Sequence, residues 1–195
     1  MPVGMVQNQA MYSEGIEQAI RAAFNAHDGQ LRKGAGEIPY VTHPIHAGLM
    51  LARLGADVET IQAAILHDVV EDSGDWTNER VAHEFGTRVA EIVADLTEDK
   101  AGTWEERKQA AIDHVPHMSP AAALVKAADK LHNLESLLAE LRSAADPDAV
   151  WTKFKGGRTR TLEYSADLIE ALAGRVDESL ARSLAAVLSA LQDQH

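Results

Sequence analysis

Hydrophobic residues recur at helical spacing along almost the whole chain. The first series runs from Ile16 to Phe24 and predicts a helix that begins at Ser13 and ends near Gly29. The pattern then predicts one helix after another, over Ile45–Leu54, Asp57–Asp72, Glu79–Phe85, Thr87–Leu96, Thr103–Val115, Ser119–Leu141, Thr161–Ala173 and Asp177–Gln192. The sequence therefore predicts an all-α fold.

The stretch Ala63–Asp72, AAILHDVVED, places four ionisable side chains inside an apolar helix. A charged group in apolar surroundings is costly unless it is paired or binds a metal. On one continuous helix, His67, Asp68, Glu71 and Asp72 would fall within an arc of about 140°. The sequence therefore predicts an imidazole and three carboxylates directed at a common point.

A second carboxylate lies on the apolar face of the long helix. Asp129, followed by Asn133 one turn later, stands among alanines and leucines. An ion pair of Asp129 with Lys126 or Lys130 is one explanation. A metal site shared with His67 and Asp68 is the interpretation we favour.

The loop before the second helix carries two adjacent cations, Arg32 and Lys33, in front of a glycine-rich turn. They are suited to clamping a phosphate, and a solvated basic loop is an equally good explanation. His43 follows at a helix start, where Pro44 is well tolerated in the first turn. A single histidine is more often structural than a ligand, so its role depends on acidic neighbours in space.

Together, His43, His67, Asp68 and Asp129 offer two imidazole nitrogens and two carboxylate oxygens. This donor set suits Mn, Fe, Co, Ni or Zn and leaves positions open for water or substrate. A closed structural zinc site is not expected, because the chain has no cysteine. A divalent metal at such a site polarises a phosphoryl oxygen and lowers the pKa of water. Glu71 and Asp72 then become candidates for orienting the water and moving protons.

Composition narrows the choice of partners. The formal net charge of −12 argues against a nucleic-acid surface, and the 5% aromatic content argues against base-stacking platforms. No apolar run is long enough to span a membrane, and the N-terminal residues lack a secretory signal, so a cytoplasmic location is expected. A small anionic ligand and a homo-oligomer remain compatible. Cations that could contact such a ligand are Lys100, Arg107, Lys153 and Arg158, although solvent exposure is the simpler explanation for Arg107.

The order of His43, His67-Asp68 and Asp129 resembles the HD superfamily of metal-dependent phosphohydrolases. The segments RKGAGEIPYVTHP, AAILHDVVED, FGTRVAEIVADLTEDK and LVKAADKLHNL are similar to the hydrolase domain of RelA/SpoT alarmone enzymes. The similarity is greatest to stand-alone, single-domain members of the SpoT type found in metazoans. The resemblance implies a helical HD-domain bundle with a metal site between its central helices. It also implies one hydrolase domain over residues 1–195, with a core of about 13–141 and C-terminal helices 146–194 packed on it.

The activity that the resemblance implies is Mn²⁺-dependent hydrolysis of the 3′-pyrophosphate of guanosine tetra- or pentaphosphate. By the same resemblance, Glu71 and Asp72 serve the water and proton transfers, Arg32 and Lys33 lie by the substrate, and Asn133 lies near metal and nucleotide. Family members place a substrate-contacting aromatic residue after the long helix, and Thr161 stands near that place here. Two alternatives stay open: a phosphatase acting on another nucleotide such as NADPH, and a metal-dependent nucleotide sensor without turnover.

Overall fold

The structure is a computed structural model that describes residues 12–34 and 36–194. The N-terminal residues in which we expect no secretory signal fall almost entirely outside this part of the chain. The described residues form eleven α-helices and a short 3₁₀ turn at Val115–His117, and only an isolated bridge between Leu31 and Pro39 has β pairing. The helices are α1 (Glu14–Ala26), α2 (Thr42–Arg53), α3 (Val58–Leu66), α4 (Val69–Asp72), α5 (Asn78–Phe85), α6 (Thr87–Leu96), α7 (Trp104–His114), α8 (Pro120–Ser143), α9 (Pro147–Trp151), α10 (Gly157–Ala173) and α11 (Glu178–Gln192). The all-α prediction is confirmed.

Side-chain caps explain why many of these helices start where they do. A side-chain oxygen of the residue before the helix accepts a hydrogen bond from a backbone N–H of the first turn, which would otherwise lack a partner. In α7, Glu106 also reaches back to Thr103, so the two residues form a capping box. Helices capped in this way are α1 by Ser13, α3 by Asp57, α5 by Thr77, α7 by Thr103 and α8 by Ser119.

Helix α3 lies at the centre of the bundle. All of its residues from Thr60 to Leu66 are buried, and the polar Gln62 among them donates to the Gly15 carbonyl at 3.0 Å. It packs against α1, α2, α6 and α8. At Gly48 the backbone of α2 comes so close to α3 that an added Cβ would lie 2.8 Å from Ile65 Cγ1.

Helix α8 is the longest element and carries eleven buried residues. It packs against α2, α3 and α6 on one part of its surface, and α9, α10 and α11 also contact it. Helix α10 additionally packs on α7. Buried apolar residues from the N-terminal and C-terminal helices join in one continuous core.

Two predicted boundaries are wrong. Helix α10 begins at Gly157 and not at Thr161, so part of the glycine-containing basic segment is helical. The continuous helix through Ala63–Asp72 is also wrong, because α3 ends at Leu66 and α4 starts at Val69. None of the helices in the described part of the chain combines the length and the apolar character needed to span a membrane.

Candidate metal and active site

Three side chains from distant parts of the sequence converge between α2, α3 and α8. The ligand atoms of His43, His67 and Asp129 all lie within 4.8 Å of one another. Asp129 Oδ1 is 3.1 Å from His43 Nε2 and 3.8 Å from His67 Nε2. The histidine side chains are 1% and 5% exposed. The structure therefore brings together three of the four predicted ligands as one buried group.

Asp68, the fourth predicted ligand, lies beside this group. Its Oδ2 is 3.0 Å from His67 Nε2 and 3.8 Å from His43 Nε2. The Tyr40 hydroxyl donates a 2.6 Å hydrogen bond to the same oxygen. Burial opposes the charge, but His67 and this hydroxyl outweigh it and lower the pKa of Asp68 to about 2.

The two carboxylates create a point that favours positive charge. Burial works against the charged form of His67, yet Asp68 and Asp129 raise its pKa well above the ordinary value. Burial also opposes the charge on Asp129, but the neighbouring imidazoles of His43 and His67 lower its pKa well below the ordinary value. The site therefore holds two anionic carboxylates and stabilises a cation between them, whether a proton or a metal ion.

The donor atoms fit a divalent metal ion. His67 Nδ1 donates to the Ala64 carbonyl at 2.8 Å, so in the neutral imidazole Nε2 carries the lone pair that a metal ion would bind in place of the proton. That Nε2 atom is buried and has no hydrogen-bond partner among the described residues. A buried nitrogen without a partner is costly, and it faces two carboxylates. Imidazole nitrogen with carboxylate oxygen is a donor set that transition metals accept.

The break between α3 and α4 has a local cause. In a continuous helix the Ala64 carbonyl would accept from the backbone N–H of Asp68, but the His67 imidazole bonds this carbonyl instead. Regular helical bonding resumes when Asp72 N donates to Asp68 O at 2.9 Å. The predicted ligands His67 and Asp68 consequently lie in a turn, and Glu71 and Asp72 lie on the separate short helix α4.

Glu71 follows the predicted ligands His67 and Asp68 by one turn, and its carboxyl group has a raised pKa. Burial raises its pKa most, followed by the nearby charges of Glu98, Asp68 and Asp72. Its Oε2 accepts a long, 3.5 Å bond from the Glu98 backbone N–H. A carboxylate with raised pKa is a stronger base, as acceptance of a proton from water requires.

Two side chains from other parts of the chain hold α4 in place. Lys100 Nζ donates to the Glu71 carbonyl at 2.6 Å and to Asp72 Oδ1 at 3.3 Å. Gln30 Nε2 donates to the Asp72 carbonyl at 3.1 Å. Lys100, which is a predicted substrate contact, therefore lies directly beside both candidate catalytic residues.

Arg32 and Asn133 connect the basic loop to the metal group. Arg32 Nη2 donates to Asn133 Oδ1 at 2.9 Å, and Asn133 Nδ2 donates to Asp129 Oδ1 at 2.6 Å. Lys33, the neighbour of Arg32, is exposed. Asp129 makes no ion pair with Lys126 or Lys130 in the described part of the chain, and the Lys130 ammonium lies 4.6 Å from the Tyr164 ring centroid.

The other predicted substrate contacts are distributed over several places. Arg107 donates to the Glu98 carboxylate at 2.8 Å, and the backbone N–H of Glu98 in turn donates to Glu71. Lys153 pairs with Glu140. The Glu140 carboxylate lies beside Gly34 of the basic loop, where an added Cβ would be 3.1 Å from Oε2. The Arg158 guanidinium donates to the carbonyls of Gln192 and Gln194 at 3.1 Å and 2.6 Å, at the end of α11. Arg107 and Lys153 thus adjoin the site or its loop, and Arg158 lies at the C-terminal end.

Sequence reasoning missed two residues that contact the ligands. Tyr40 bonds Asp68, as described above. His132 Nδ1 lies 2.8 Å from His43 Nδ1, and burial, together with the positive charges of His43, Arg32 and His46, lowers the pKa of His132 to about 3. A signal was available, because His132 lies three residues after Asp129 and so on the same face of α8.

Comparison with known proteins agrees with this geometry. The sequence model of a family described as HD domain matches residues 19–159. The protein named guanosine-3′,5′-bis(diphosphate) 3′-pyrophosphohydrolase MESH1 from Danio rerio is 43% identical over 122 residues, which are 62% of this chain and 67% of that protein. Its Homo sapiens counterpart is 41% identical over 131 residues, 65% of this chain and 73% of that protein.

Solved structures give the same picture. A metazoan orthologue of SpoT, described as hydrolysing ppGpp, superposes with a TM-score of 0.77 at 29% identity and covers 91% of this chain and 96% of its own. The lmo0812 protein of Listeria monocytogenes superposes with a TM-score of 0.68 at 31% identity, covering 75% of this chain and 96% of its own.

Proposed function

The chain belongs to the HD-domain family, and from this membership we propose that it is a metal-dependent hydrolase that removes the 3′-pyrophosphate of guanosine tetra- and pentaphosphate. The observation that carries the proposal is the buried His67 Nε2, which has no hydrogen-bond partner in the described part of the chain and faces Asp68 and Asp129, with Glu71 on the next turn. The products are GDP or GTP and pyrophosphate. The similarity to MESH1 proteins, which carry this activity in their name, supports the choice of substrate.

We propose that His43, His67, Asp68 and Asp129 hold the metal ion, with Mn²⁺ as the first candidate and Fe, Co, Ni or Zn as alternatives. When bound there, a divalent ion supplies charge that polarises a phosphoryl oxygen and lowers the pKa of water. Asn133 holds Asp129 by the 2.6 Å hydrogen bond, and Tyr40 holds Asp68 by its own 2.6 Å bond. Such outer partners fix the direction of the ligand atoms.

Glu71 is our candidate for the base that accepts the proton of the attacking water. Its burial and its carboxylate neighbours raise its pKa and so strengthen it as a base. Asp72, paired with Lys100, is our candidate for orienting the water and for delivering a proton to the leaving oxygen. A binding module without turnover has no need of both groups, which is why we rank the sensor lower.

The substrate carries several phosphate charges, and we propose that cations around the site bind them. Arg32, Lys33 and Lys100 lie on the two segments that border the metal group, and Arg107 lies behind Glu98. Lys153 and Arg158 complete the proposed set, together with Asn133. The short pair of Lys153 with Glu140 would have to open for a direct contact with phosphate.

The test is incubation of the purified protein with Mn²⁺ and a panel of guanosine tetraphosphate, guanosine pentaphosphate, NADPH and deoxynucleotides. Products are identified by ³¹P NMR and anion-exchange chromatography. We expect pyrophosphate and GDP or GTP from the guanosine substrates, and no product from the Glu71→Gln variant. Release of inorganic phosphate from NADPH alone would establish the phosphatase alternative. Metal-dependent nucleotide binding without any turnover would establish the sensor.

A further inference from the structure

We propose that His132 is a positioning residue that fixes the tautomer and the orientation of the metal ligand His43. This inference rests on the metal centre proposed above. The two Nδ1 atoms are 2.8 Å apart, so a hydrogen must lie between them. The only question is which imidazole donates it.

Metal binding decides the direction of this hydrogen bond. His43 Nε2 faces the carboxylates, at 3.1 Å from Asp129 Oδ1. A neutral imidazole carries one hydrogen, and Nε2 must be free of it to ligate a metal. His43 Nδ1 therefore carries the hydrogen and donates it, and His132 Nδ1 accepts. The Ser136 hydroxyl lies 3.4 Å from the same His132 nitrogen, where it too can donate.

Packing around His132 keeps its ring in the accepting position. The ring is half-buried on α8. His46 packs edge-on against it with ring centroids 4.8 Å apart and an interplanar angle of 81°. The His43 ring also packs against it, with centroids 4.8 Å apart.

The two histidine ligands are thus oriented by different means. His67 donates to the backbone carbonyl of Ala64, a group that no side-chain substitution removes. His43 depends on one replaceable side chain, His132. Its removal leaves His43 free to rotate and to place its hydrogen on Nε2, which would direct an N–H at the metal position.

The experiment compares the Zn²⁺ affinity of wild type, His132→Phe, His132→Gln and His46→Phe, each measured by competition with a chromophoric chelator. Removal of an outer-shell partner commonly lowers metal affinity by about 10–100-fold, and we expect a loss in this range for His132→Phe. His132→Gln keeps an acceptor and should recover most of the affinity. His46→Phe is the matched control, since it removes a neighbouring imidazole but keeps an aromatic ring packed against His132, and it should bind Zn²⁺ like wild type.

Equal affinity of wild type and His132→Phe would overturn the proposal, as would equal losses in the Phe and Gln variants. Wild type that binds no Zn²⁺ would overturn the metal centre, and this inference with it. A second measurement needs no variant: long-range ¹H–¹⁵N correlation spectra of the Zn²⁺-loaded wild type report the tautomer of each histidine. Hydrogen on His43 Nδ1 and on His132 Nε2 supports the proposal, and hydrogen on His132 Nδ1 contradicts it.

Discussion

Replacement of Gly48 by alanine tests whether the close approach of α2 and α3 is a requirement of the fold. Alanine gains about 1 kcal/mol of helix propensity over glycine in a helix interior. The new Cβ, however, would lie 2.8 Å from Ile65 Cγ1 and 3.2 Å from its Cδ1, whereas carbon atoms in good contact are about 3.5–4.0 Å apart. Overpacking of a buried side chain costs about 1–3 kcal/mol. We expect a net loss of about 1 kcal/mol, which lowers Tm by about 2–4 °C in a chain of this length.

The assay is thermal and urea unfolding of metal-free protein, extended to a double-mutant cycle with Ile65→Ala. That single substitution alone should cost about 2–5 kcal/mol because it leaves a cavity. In the double variant the alanine methyl group enters this cavity, so the combined loss should fall below the sum of the single losses by at least about 0.5 kcal/mol. Gly174→Ala is the control, since a Cβ there meets no atom within 4 Å. Additive losses in the cycle would refute the steric argument.

Three further predictions concern the site itself. Asp129→Ala should lose both metal content and turnover, whereas Glu71→Ala should keep the metal and lose turnover. Elemental analysis and an activity assay of each variant distinguish the two cases. An active Asp129→Ala variant would remove this residue from the ligand set. Because the pKa of Glu71 is raised in the folded chain, the folded state holds its proton at pH values where the unfolded chain has lost it, and stability decreases as pH rises through this range. Glu71→Gln should therefore raise Tm of chelator-treated protein at pH 7, with a gain that shrinks towards pH 4, and an equal or lower Tm at pH 7 would contradict the assignment. Lys33→Ala should raise KM for guanosine tetraphosphate with little change in kcat. Arg182→Ala, on the exposed surface of α11, is the control and should leave KM unchanged. An unchanged KM in the Lys33→Ala variant would place Lys33 outside the substrate site.

The fold could be predicted from the sequence because its elements are specified locally. Apolar spacing indicates the helices apart from the short α9, which was not predicted, and capping residues such as Ser13, Thr103 and Ser119 mark the starts. The break after Leu66 could not be predicted in this way. It depends on the His67 side chain taking a backbone acceptor from the helix, and the apolar pattern of Ala63–Asp72 does not report this competition.

The candidate ligands could be predicted where an ionisable side chain stands in an apolar part of the sequence. His67 and Asp68 in an apolar stretch, and Asp129 on an apolar helix face, indicate ligands whatever their distance along the chain. The supporting contacts are different, because they join residues across the fold. Tyr40 bonds Asp68 over 28 residues and His132 bonds His43 over 89 residues, and no spacing rule relates such pairs.

The basic loop is closed at its base by main-chain hydrogen bonds. Tyr40 N donates to Gln30 O at 2.8 Å, and Arg32 N donates to Ile38 O at 2.9 Å. Backbone bonds of this kind do not depend on which side chains the tip carries. Substitutions at Lys33 or Glu37, which lie beyond these bonds, should therefore leave the base of the loop and the predicted metal ligands in place. Contacts to a substrate can therefore be altered in this loop while the helices that carry the predicted ligands keep their positions.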